Sequence, residues 1–418
     1  MKKINNSIGI YVKDSHMWGC LFLDFLNKQS IPYKIIHNPY ENELKGVKIL
    51  ILPGGFASER AKGLGKEGIK AIKEYVRSGG IYFGVCGGAG LCLNEGEYSL
   101  GISHLKRKKM ADRVPNFSGH IKVNFTKNFF DIFGQKGIKK NLGLPVWWPS
   151  QFQWDESKDV KKIARYEKPL DDLWIADIPY YTLNDMDIHE VEKLYGINLD
   201  FSYIKNEPCI VMGDFGKGRY FLTYPHLETP GSKEANNLLV HIFSYFLQKD
   251  FRAKQIDAID LCSPKIKWDD KTFLFIFNGL HELILKAQEN FLMCWRKKWL
   301  LGWRRGVIGL SINSILYMIC FLLERTPSYA CITLWQDIKE ELKLLFLNFK
   351  REFEKYIIMQ REFYLKNSHR APDRFGDKPI HKQILKLTGP FPGHGGIFKK
   401  IVVHLEKLVS ALNRSFYK

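Results

Sequence analysis

Two short apolar runs, each ending in glycines or a Gly-Cys-Gly-type turn, constrain the fold of the first hundred residues most strongly. VKILILPGG (residues 47–55) and GGIYFGVC (residues 79–86) have the composition of strands buried on both faces. The intervening GKEGIKAIKEYVRSGG has helical spacing and ends on glycines, a common stop for a helix. Such alternation predicts the α/β class, an open, mostly parallel sheet with helices on both faces.

The same alternation begins earlier in the chain and resumes later. SIGIYV and YKIIH are predicted strands flanking a predicted helix in HMWGCLFLDFLNKQS. PCIVMGDFGKGRYFLTY predicts two strands joined by a Gly-Lys-Gly turn, and KEANNLLVHIFSYFLQ predicts a helix after them. Between residues 105 and 205 the pattern is weaker, with short strands predicted in HIKVNF, KKIARY and LWIADIPYY. Ligands of such sheets bind at the carboxyl ends of the strands.

A change in composition divides the chain. Its 418 residues exceed the roughly 100 to 200 residues of one ordinary domain. From residue 265 onward the chain has 27 Lys and Arg and 14 Asp and Glu. The difference, +13, is most of the net charge of +19. The sequence therefore predicts a first domain over residues 1–252 and a basic, mainly α-helical domain over residues 265–418. An apolar stripe from Leu334 to Tyr356, at spacings of three and four, predicts one long amphipathic helix there.

The cysteines and the N-terminal residues bear on the compartment and on metals. The eight cysteines are scattered, with no CxxC pair and no spacing typical of zinc ligands, so we expect a cytoplasmic protein and no metal site. The apolar stretch at the N-terminus is shorter than the core of a signal peptide. GLGKEG (residues 63–68) matches GxGxxG but lies well past the strand end, so it predicts a helix start. No cofactor is predicted.

Gly84, Cys86 and Gly88 have the spacing of a nucleophile elbow, in which a strand turns sharply into a helix. Glycines two residues on either side are needed because a Cβ there would collide with a neighbouring strand or helix. The pattern favours Cys86 as a nucleophile over a structural thiol in a tight turn.

A thiol nucleophile needs a base, and PHLE after the last predicted strand supplies a candidate. In an extended segment, residues i and i+2 point the same way, so Glu228 could orient His226 while the other ring nitrogen faces the thiol. A second HLE, at His404 and Glu406, falls in a helical pattern, where those two side chains diverge. We therefore predict His226 as base and Glu228 as its orienting carboxylate.

Acyl transfer also needs donors for the developing oxyanion. The backbone N–H of Gly87, which follows the nucleophile, is one candidate. The loop after the preceding strand provides the other at or near Gly55, although a plain strand-ending turn is the alternative there.

ILPGG, GVCGGAG and GKGRYFLTYPHLE, in that order and spacing, resemble the class I glutamine amidotransferase-like fold. Within it they most resemble the domain at the N-terminus of some biotin-protein ligases, also found as stand-alone bacterial proteins of unassigned activity. The resemblance covers roughly residues 7–248 and implies a flavodoxin-like sheet and a triad of Cys86, His226 and Glu228. In amidotransferases the thiolate attacks the side-chain amide of glutamine, giving a glutamyl thioester and ammonia.

The chain departs from those enzymes in two motifs. It lacks the phosphate-binding GxxxxGK[ST] of a synthetase and the glycine- and arginine-rich loop of a biotin ligase catalytic domain. The predicted function is a cysteine-dependent amidotransferase-like enzyme, or an amide or acyl hydrolase, acting on a small carboxamide or acyl substrate; no synthetase or acceptor-protein partner is identified. The alternative is a non-catalytic small-molecule-binding or scaffolding protein.

Residues 289–325 interleave tryptophans with basic residues in CWRKKWLLGWRRG and then run without charge from Val307 to Leu323. Aromatic and basic residues beside an apolar run are typical of a membrane interface. Isoleucines at helical spacing within the run favour instead a helix packed inside the protein. Attachment to an anionic membrane surface, at the inner face of the membrane, and nucleic-acid contact are the two less favoured alternatives.

Overall fold

The computed structural model describes residues 8–96, 98–114, 116–135, 137–155, 159–367, 377–390 and 393–412. The chain forms two compact units. The first runs to Ile188 and resumes with Asn198–Asp257, and the second comprises His189–Ile197 and the chain from Ala258 onward.

The first unit contains strands and helices in alternation up to the elbow and mostly strands after it. In chain order, the elements up to the elbow helix are β1 (Ile8–Ile10), α1 (Met17–Lys28), β2 (Tyr33–Ile35), β3 (Ile49–Leu52), α2 (Ala57–Arg77), β4 (Ile81–Val85) and α3 (Gly87–Cys92). They are followed by β5 (Lys106–Arg107), β6 (Phe117–Phe125), α4 (Lys127–Phe133), β7 (Asn141–Trp147), β8 (Phe152–Gln153), β9 (Val160–Pro169), β10 (Trp174–Ile175), β11 (Ile178–Pro179), β12 (Pro208–Phe215), β13 (Gly218–Thr223) and α6 (Lys233–Leu247).

One mixed sheet organises this unit. Five neighbouring strands, in the order β2-β1-β3-β4-β13, are parallel. Beyond β13 the sheet continues through antiparallel β12, β9, β6, β10 and β11, and β7 also pairs with β6. The predicted α/β class with a flavodoxin-like parallel core is confirmed.

Helices cover both faces of the parallel strands because successive side chains of a strand point to opposite sides. On one face, Phe83 of β4 stacks on Phe221 of β13 at 5.1 Å between ring centroids and packs edge-on against Phe243 of α6 at 5.2 Å. On the other face, the hydroxyl of Tyr82 donates a hydrogen bond of 2.6 Å to the carbonyl of Gly88 in α3. The short strand β4 therefore holds the elbow helix directly.

Two features of the first unit differ from the sequence prediction. β7 is not among the predicted strands, because its internal proline is unusual in a strand; it lies at the side of β6, where a missing N–H costs no ladder bond. The helix start predicted near Gly65 is wrong, since α2 begins at Ala57 and is only interrupted at Gly65, whose φ is +63°. The predicted start is thus a kink within a longer helix.

The second unit is mainly helical. Its elements are α5 (Ile188–Tyr195), which belongs to this unit from its second residue onward, α7 (Lys271–Glu289), β14 (Met293–Lys297), β15 (Leu300–Trp303), α8 (Gly309–Leu323), α9 (Tyr329–Lys366), α10 (Lys378–Thr388) and α11 (Gly396–Leu412). The caps follow from the sequence: the side chain of Asp270 accepts from the first amides of α7, and Ser328 and Asp377 do the same for α9 and α10. α9 confirms the predicted long amphipathic helix, with its apolar stripe turned inward.

The uncharged run after the tryptophans forms α8, which is buried along nearly its whole length. It packs against α7, α11 and β15, and the side chain of Asn313 accepts a hydrogen bond of 2.7 Å from the backbone N–H of Leu301. This arrangement agrees with the favoured alternative, a helix packed inside the protein. Among the described residues, no helix is both long and apolar enough to cross a bilayer.

Candidate active site

Cys86 stands at the junction between β4 and α3 with a strained backbone. Its φ of +49° and ψ of −105° are sparsely populated for a residue with a side chain. The backbone N–H of Cys86 donates 2.8 Å to the carbonyl of Thr223, which extends the pairing of β4 with β13. The thiol is partly exposed, and its sulfur lies 4.0 Å from the carbonyl oxygen of Trp147. Strain at a partly exposed thiol is the arrangement of a nucleophile elbow.

The glycines on either side of Cys86 leave no room for side chains. A Cβ on Gly88 would lie 2.0 Å from the carbonyl oxygen of Leu52, at the end of β3. A Cβ on Gly84 would lie 2.7 Å from the carbonyl oxygen of Gly88 itself. The spacing of these glycines therefore follows from close backbone packing between the turn and the neighbouring strand.

His226 and Glu228 are brought together by a turn. The backbone N–H of Thr229 donates 3.1 Å to the carbonyl of His226, so the pair is not in the extended conformation that the sequence analysis assumed. Nδ1 of His226 lies 2.8 Å from Oε1 of Glu228, and neither side chain is exposed to solvent. The expected contact is present, although a different backbone conformation produces it.

His226 also interacts with Cys86, although about 140 residues separate the two in the chain. Burial by itself would lower the pKa of His226, but the charge of Glu228 and the nearby Cys86 sulfur raise it to about 10. Within the described residues, Nε2 of His226 makes no hydrogen bond of ordinary geometry, so it is available to the thiol. The ring is thus held as an imidazolium between a carboxylate and a sulfur.

Aromatic side chains hold the imidazole ring. Trp18 of α1 lies 4.6 Å from the His226 ring between centroids and 6.5 Å from Trp147 of β7. The backbone N–H of His226 donates 2.8 Å to the carbonyl of Pro145, also in β7. The strand that the sequence analysis missed therefore fixes both the histidine backbone and the carbonyl beside the thiol.

The loop after β3 meets the elbow through its two glycines. A Cβ on Gly54 would lie 2.7 Å from Cε1 of His226. Gly55 has a φ of +132°, which favours glycine, and a Cβ on Gly87 would lie only 1.8 Å from the Gly55 carbonyl oxygen. The two predicted oxyanion donors, Gly55 and Gly87, are therefore adjacent.

Arg60 is a site residue that the sequence analysis missed. Its guanidinium is fully buried and donates to the carbonyls of Pro53 at 2.6 Å and Gly54 at 2.7 Å. The signal was present in the sequence, because Arg60 falls within the apolar stripe of Ala57, Ala61 and Leu64 on α2. This residue ties the start of α2 to the loop that contacts His226.

The second HxE pair does not form such a site. His404 and Glu406 lie in α11, and Nε2 of His404 is 3.5 Å from a carboxylate oxygen of Glu341 on α9. Over the described ranges, no three His, Cys, Asp or Glu side chains converge as metal ligands would.

Comparisons with known proteins match one segment of the first unit to a protein family. Residues 30–111 match the family model described as "Biotin-protein ligase, N terminal". The match includes Gly55 and Cys86 and ends before His226. No curated protein matches the sequence. The resemblance to the N-terminal domain of biotin-protein ligases is confirmed over these residues.

Solved structures similar to the chain include three proteins that the chain covers almost completely. A glutamine amidotransferase is 16% identical, with 58% of this chain and 98% of that chain covered and a TM-score of 0.36. A protein from Thermoplasma acidophilum described as one of the subunits of GMP synthase is 13% identical (58% and 94% covered, TM-score 0.38). A ThuA-like protein from Bacteroides uniformis is 14% identical (60% and 94% covered, TM-score 0.38).

Proposed function

We propose that the first unit is a cysteine-dependent enzyme that acts on a small carboxamide or acyl substrate, as an amidotransferase-like enzyme or an amide or acyl hydrolase. Cys86 is the nucleophile, His226 the general acid and base, and Glu228 the residue that orients His226. The observation that carries the proposal is the buried imidazole held between the Glu228 carboxylate and the Cys86 sulfur.

The reaction follows from the charge on these groups. The Cys86 sulfur attacks the substrate carbonyl, forming a C–S bond and a tetrahedral oxyanion. The tetrahedral intermediate then collapses and its C–N bond breaks. The His226 imidazolium donates a proton to the leaving nitrogen, which departs as ammonia. Neutral His226 then takes a proton from water, whose oxygen attacks the thioester and releases the carboxylic acid and the thiol. Transfer of the ammonia to an acceptor instead of its release would make the enzyme an amidotransferase.

The oxyanion needs donors that are in place before the reaction. We assign this role to the backbone N–H groups of Gly55 and Gly87, which are adjacent and lie in segments packed too tightly for side chains. Arg60 keeps the Gly55 loop in position by binding the two carbonyls before it. Removal of one such donor typically slows acyl transfer by about 100-fold or more.

Peptide-resolved alkylation tests the nucleophile. At neutral pH, iodoacetamide should modify Cys86 much faster than the exposed Cys262, since the His226 imidazolium activates the Cys86 sulfur, whereas burial and the charge of Asp260 raise the pKa of the Cys262 thiol. Metabolite profiling of cells that carry Cys86→Ser should then reveal an accumulated carboxamide or acyl compound. Cys262→Ser is the matched control. Equal alkylation of Cys86 and Cys262 would contradict the proposal.

A second candidate function uses the same site without chemistry. A non-catalytic small-molecule-binding or scaffolding protein would keep the elbow and use the basic second unit, predicted as residues 265–418, to hold a partner or an anionic membrane surface. Because α8 is buried, membrane contact would depend on the hairpin of β14 and β15. Cys86→Ser should leave the biological activity of such a protein intact, and full-length protein should then pellet with anionic vesicles at low salt.

A further inference from the structure

Three side chains outside the elbow form a second series of hydrogen bonds. Nδ1 of His120, in β6, lies 2.8 Å from Oδ2 of Asp172, and Nε2 of the same ring lies 2.8 Å from Oγ of Ser232. Asp172 and Ser232 follow His120 by 52 and 112 positions, so strand and helix packing brings the three together. A carboxylate, an imidazole and a hydroxyl in this order are the groups that activate a serine as a nucleophile.

The hydrogen bonds of Asp172 fix the tautomer of His120. Its carboxylate also accepts, at Oδ1, a hydrogen bond of 2.8 Å from the backbone N–H of His120. A carboxylate only accepts hydrogen bonds, so Nδ1 of the ring carries the proton that points to Oδ2. Nε2 is then the acceptor and the Ser232 hydroxyl is the donor. His120 is therefore oriented as a base toward Ser232.

Strand pairing holds Asp172 against His120. β9 pairs with β6 at Ile121 and β10 pairs with it at Ser118, so the turn between β9 and β10 passes beside His120. A Cβ on Gly119, whose φ is +134°, would lie 2.3 Å from the carbonyl oxygen of Asp172. The turn therefore packs on β6 so closely that only glycine fits at the position before His120.

Ser232 is the N-cap residue of α6, yet its hydroxyl does not cap the helix. A serine at this position usually accepts a hydrogen bond from one of the first amides, which stabilises the helix by about 1 kcal/mol. Here the hydroxyl binds His120 instead, and the first amides of α6 have no partner within the helix. These N–H groups follow Ser232 directly and are placed to stabilise an oxyanion formed at its oxygen.

The surroundings of Ser232 limit the size and the charge of a ligand. His120 and Asp172 keep 21% and 38% of their side chains exposed, whereas Ser232 is 5% exposed, so a small molecule would approach along the imidazole. Glu234, in the first turn of α6, accepts a hydrogen bond of 2.6 Å from the backbone N–H of Gly143 and adds a second carboxylate to that of Asp172. Two carboxylates repel an anion, so the site favours an uncharged ligand.

We propose that Ser232, His120 and Asp172 form a second catalytic site, separate from Cys86, that hydrolyses small uncharged carboxylic esters. Oγ of Ser232 forms a bond to the ester carbonyl carbon while Nε2 of His120 takes the hydroxyl proton. The C–O bond to the leaving alcohol then breaks, and His120 gives the proton to that oxygen. Water attacks the acyl-serine in the same way, which releases the carboxylic acid and restores the serine hydroxyl.

A fluorophosphonate tests the serine on the full-length protein, because this reagent loses fluoride and phosphonylates activated serine hydroxyls. In peptide-resolved measurements we expect Ser232 to react at least about 100-fold faster than Ser244 of the same helix, the lower end of what a positioned base contributes. Asp172→Asn should slow the reaction at Ser232 by about 100-fold or more, because the ring is then held in the wrong tautomer. Ser244→Ala removes only a hydrogen bond with the backbone N–H of Phe251 and should leave the rate at Ser232 unchanged.

Ester hydrolysis tests the class of substrate. The assay uses Cys86→Ala protein, in which the other proposed nucleophile is absent. We expect this protein to hydrolyse p-nitrophenyl butyrate, and the further substitution Ser232→Ala should lower the rate by about 100-fold or more. Mono-p-nitrophenyl succinate has an acyl chain of the same length that ends in a carboxylate, so it should react about tenfold more slowly than the butyrate.

Several results would overturn the proposal. Equal phosphonylation of Ser232 and Ser244 in the wild type, or of Ser232 in the wild type and Asp172→Asn, would show that these hydrogen bonds have only a structural role. Butyrate hydrolysis that survives Ser232→Ala would place the activity elsewhere in the protein. Hydrolysis of the succinate as fast as that of the butyrate would refute the assignment to uncharged esters. These measurements are independent of alkylation at Cys86, so the two proposed sites can fail separately.

Discussion

Nδ1 of His226 lies 2.8 Å from Oε1 of Glu228 in a part of the first unit that solvent does not reach. This contact, with the Cys86 sulfur on the other side of the ring, raises the pKa of His226 to about 10. The imidazolium is therefore the dominant form at neutral pH, and its proton is lost only as the pH rises toward that value.

The pH dependence of Cys86 alkylation should change when the Glu228 charge is removed. In the wild type we expect a nearly constant iodoacetamide rate from neutral pH until the His226 proton is lost. Glu228→Gln should lower the pKa of His226, so the pH at which the iodoacetamide rate leaves its constant value should move to a lower pH, by about one unit for each tenfold weakening of proton binding to His226. Glu74→Gln, at an exposed ion pair on α2, is the matched control. Identical pH profiles in wild type and Glu228→Gln would contradict this role.

A methyl group on Gly87 should disturb the contact between the elbow and the loop after β3. Its Cβ would lie 1.8 Å from the carbonyl oxygen of Gly55, so one segment must move. We expect Gly87→Ala to lower the free energy of unfolding by about 1–3 kcal/mol, measured by urea denaturation. Gly90→Ala on the same helix meets nothing closer than 3.5 Å and should change stability little. Equal stability of the two variants would show that the backbone relaxes freely.

Loss of the Arg60 guanidinium should loosen the loop that contacts His226. Arg60→Met leaves the carbonyls of Pro53 and Gly54 buried without these donors, at a cost of about 2–4 kcal/mol in the free energy of unfolding. Arg60→Lys keeps the charge but not the fork, so its stability should fall between wild type and Arg60→Met. Denaturation curves measure the loss of stability, and iodoacetamide rates at Cys86, measured in parallel, report the effect of the loosened loop on the site. A stability unchanged by Arg60→Met would refute the structural role.

Glu352 of α9 should make the second unit sensitive to acid. Its side chain is 2% exposed, and hydrogen bonds from Lys386 and Gln383 of α10 lower its pKa to about 2. A carboxylate whose pKa is lower in the folded protein than in the unfolded chain stabilises the fold. This stabilisation is complete at pH values above the pKa of the unfolded chain, about 4.3 for glutamate, and is lost as the pH falls toward 2. We expect Glu352→Gln to cost about 1–2 kcal/mol at neutral pH, with the difference from wild type shrinking below pH about 4.

The control for this measurement lies on the same helix. Glu362 forms an exposed pair with Lys366 at 3.7 Å, and exposed pairs contribute little to stability. Glu362→Gln should therefore match the wild type at every pH. A Glu352→Gln variant whose deficit grew as the pH fell would contradict the sign of the effect.

The sequence by itself determined the local features of this protein. Strand and helix periodicity predicted the alternating elements up to α3, the two strands before α6 and the long helix α9, since these depend on short-range spacing. The glycines around Cys86 predicted a tight turn because only glycine fits where backbone approaches backbone. The helical pattern around His404 likewise excluded the second HxE pair.

Only the tertiary structure decided which distant residues meet. Pairing of β4 with β13 brings Cys86 to the segment that carries His226, and β7 adds the backbone contact at Pro145. The sequence favoured burial of α8 without deciding it, since an apolar run packs against lipid or against protein with the same periodicity. Local spacing cannot encode such contacts because they arise from the register and order of strands far apart in the chain.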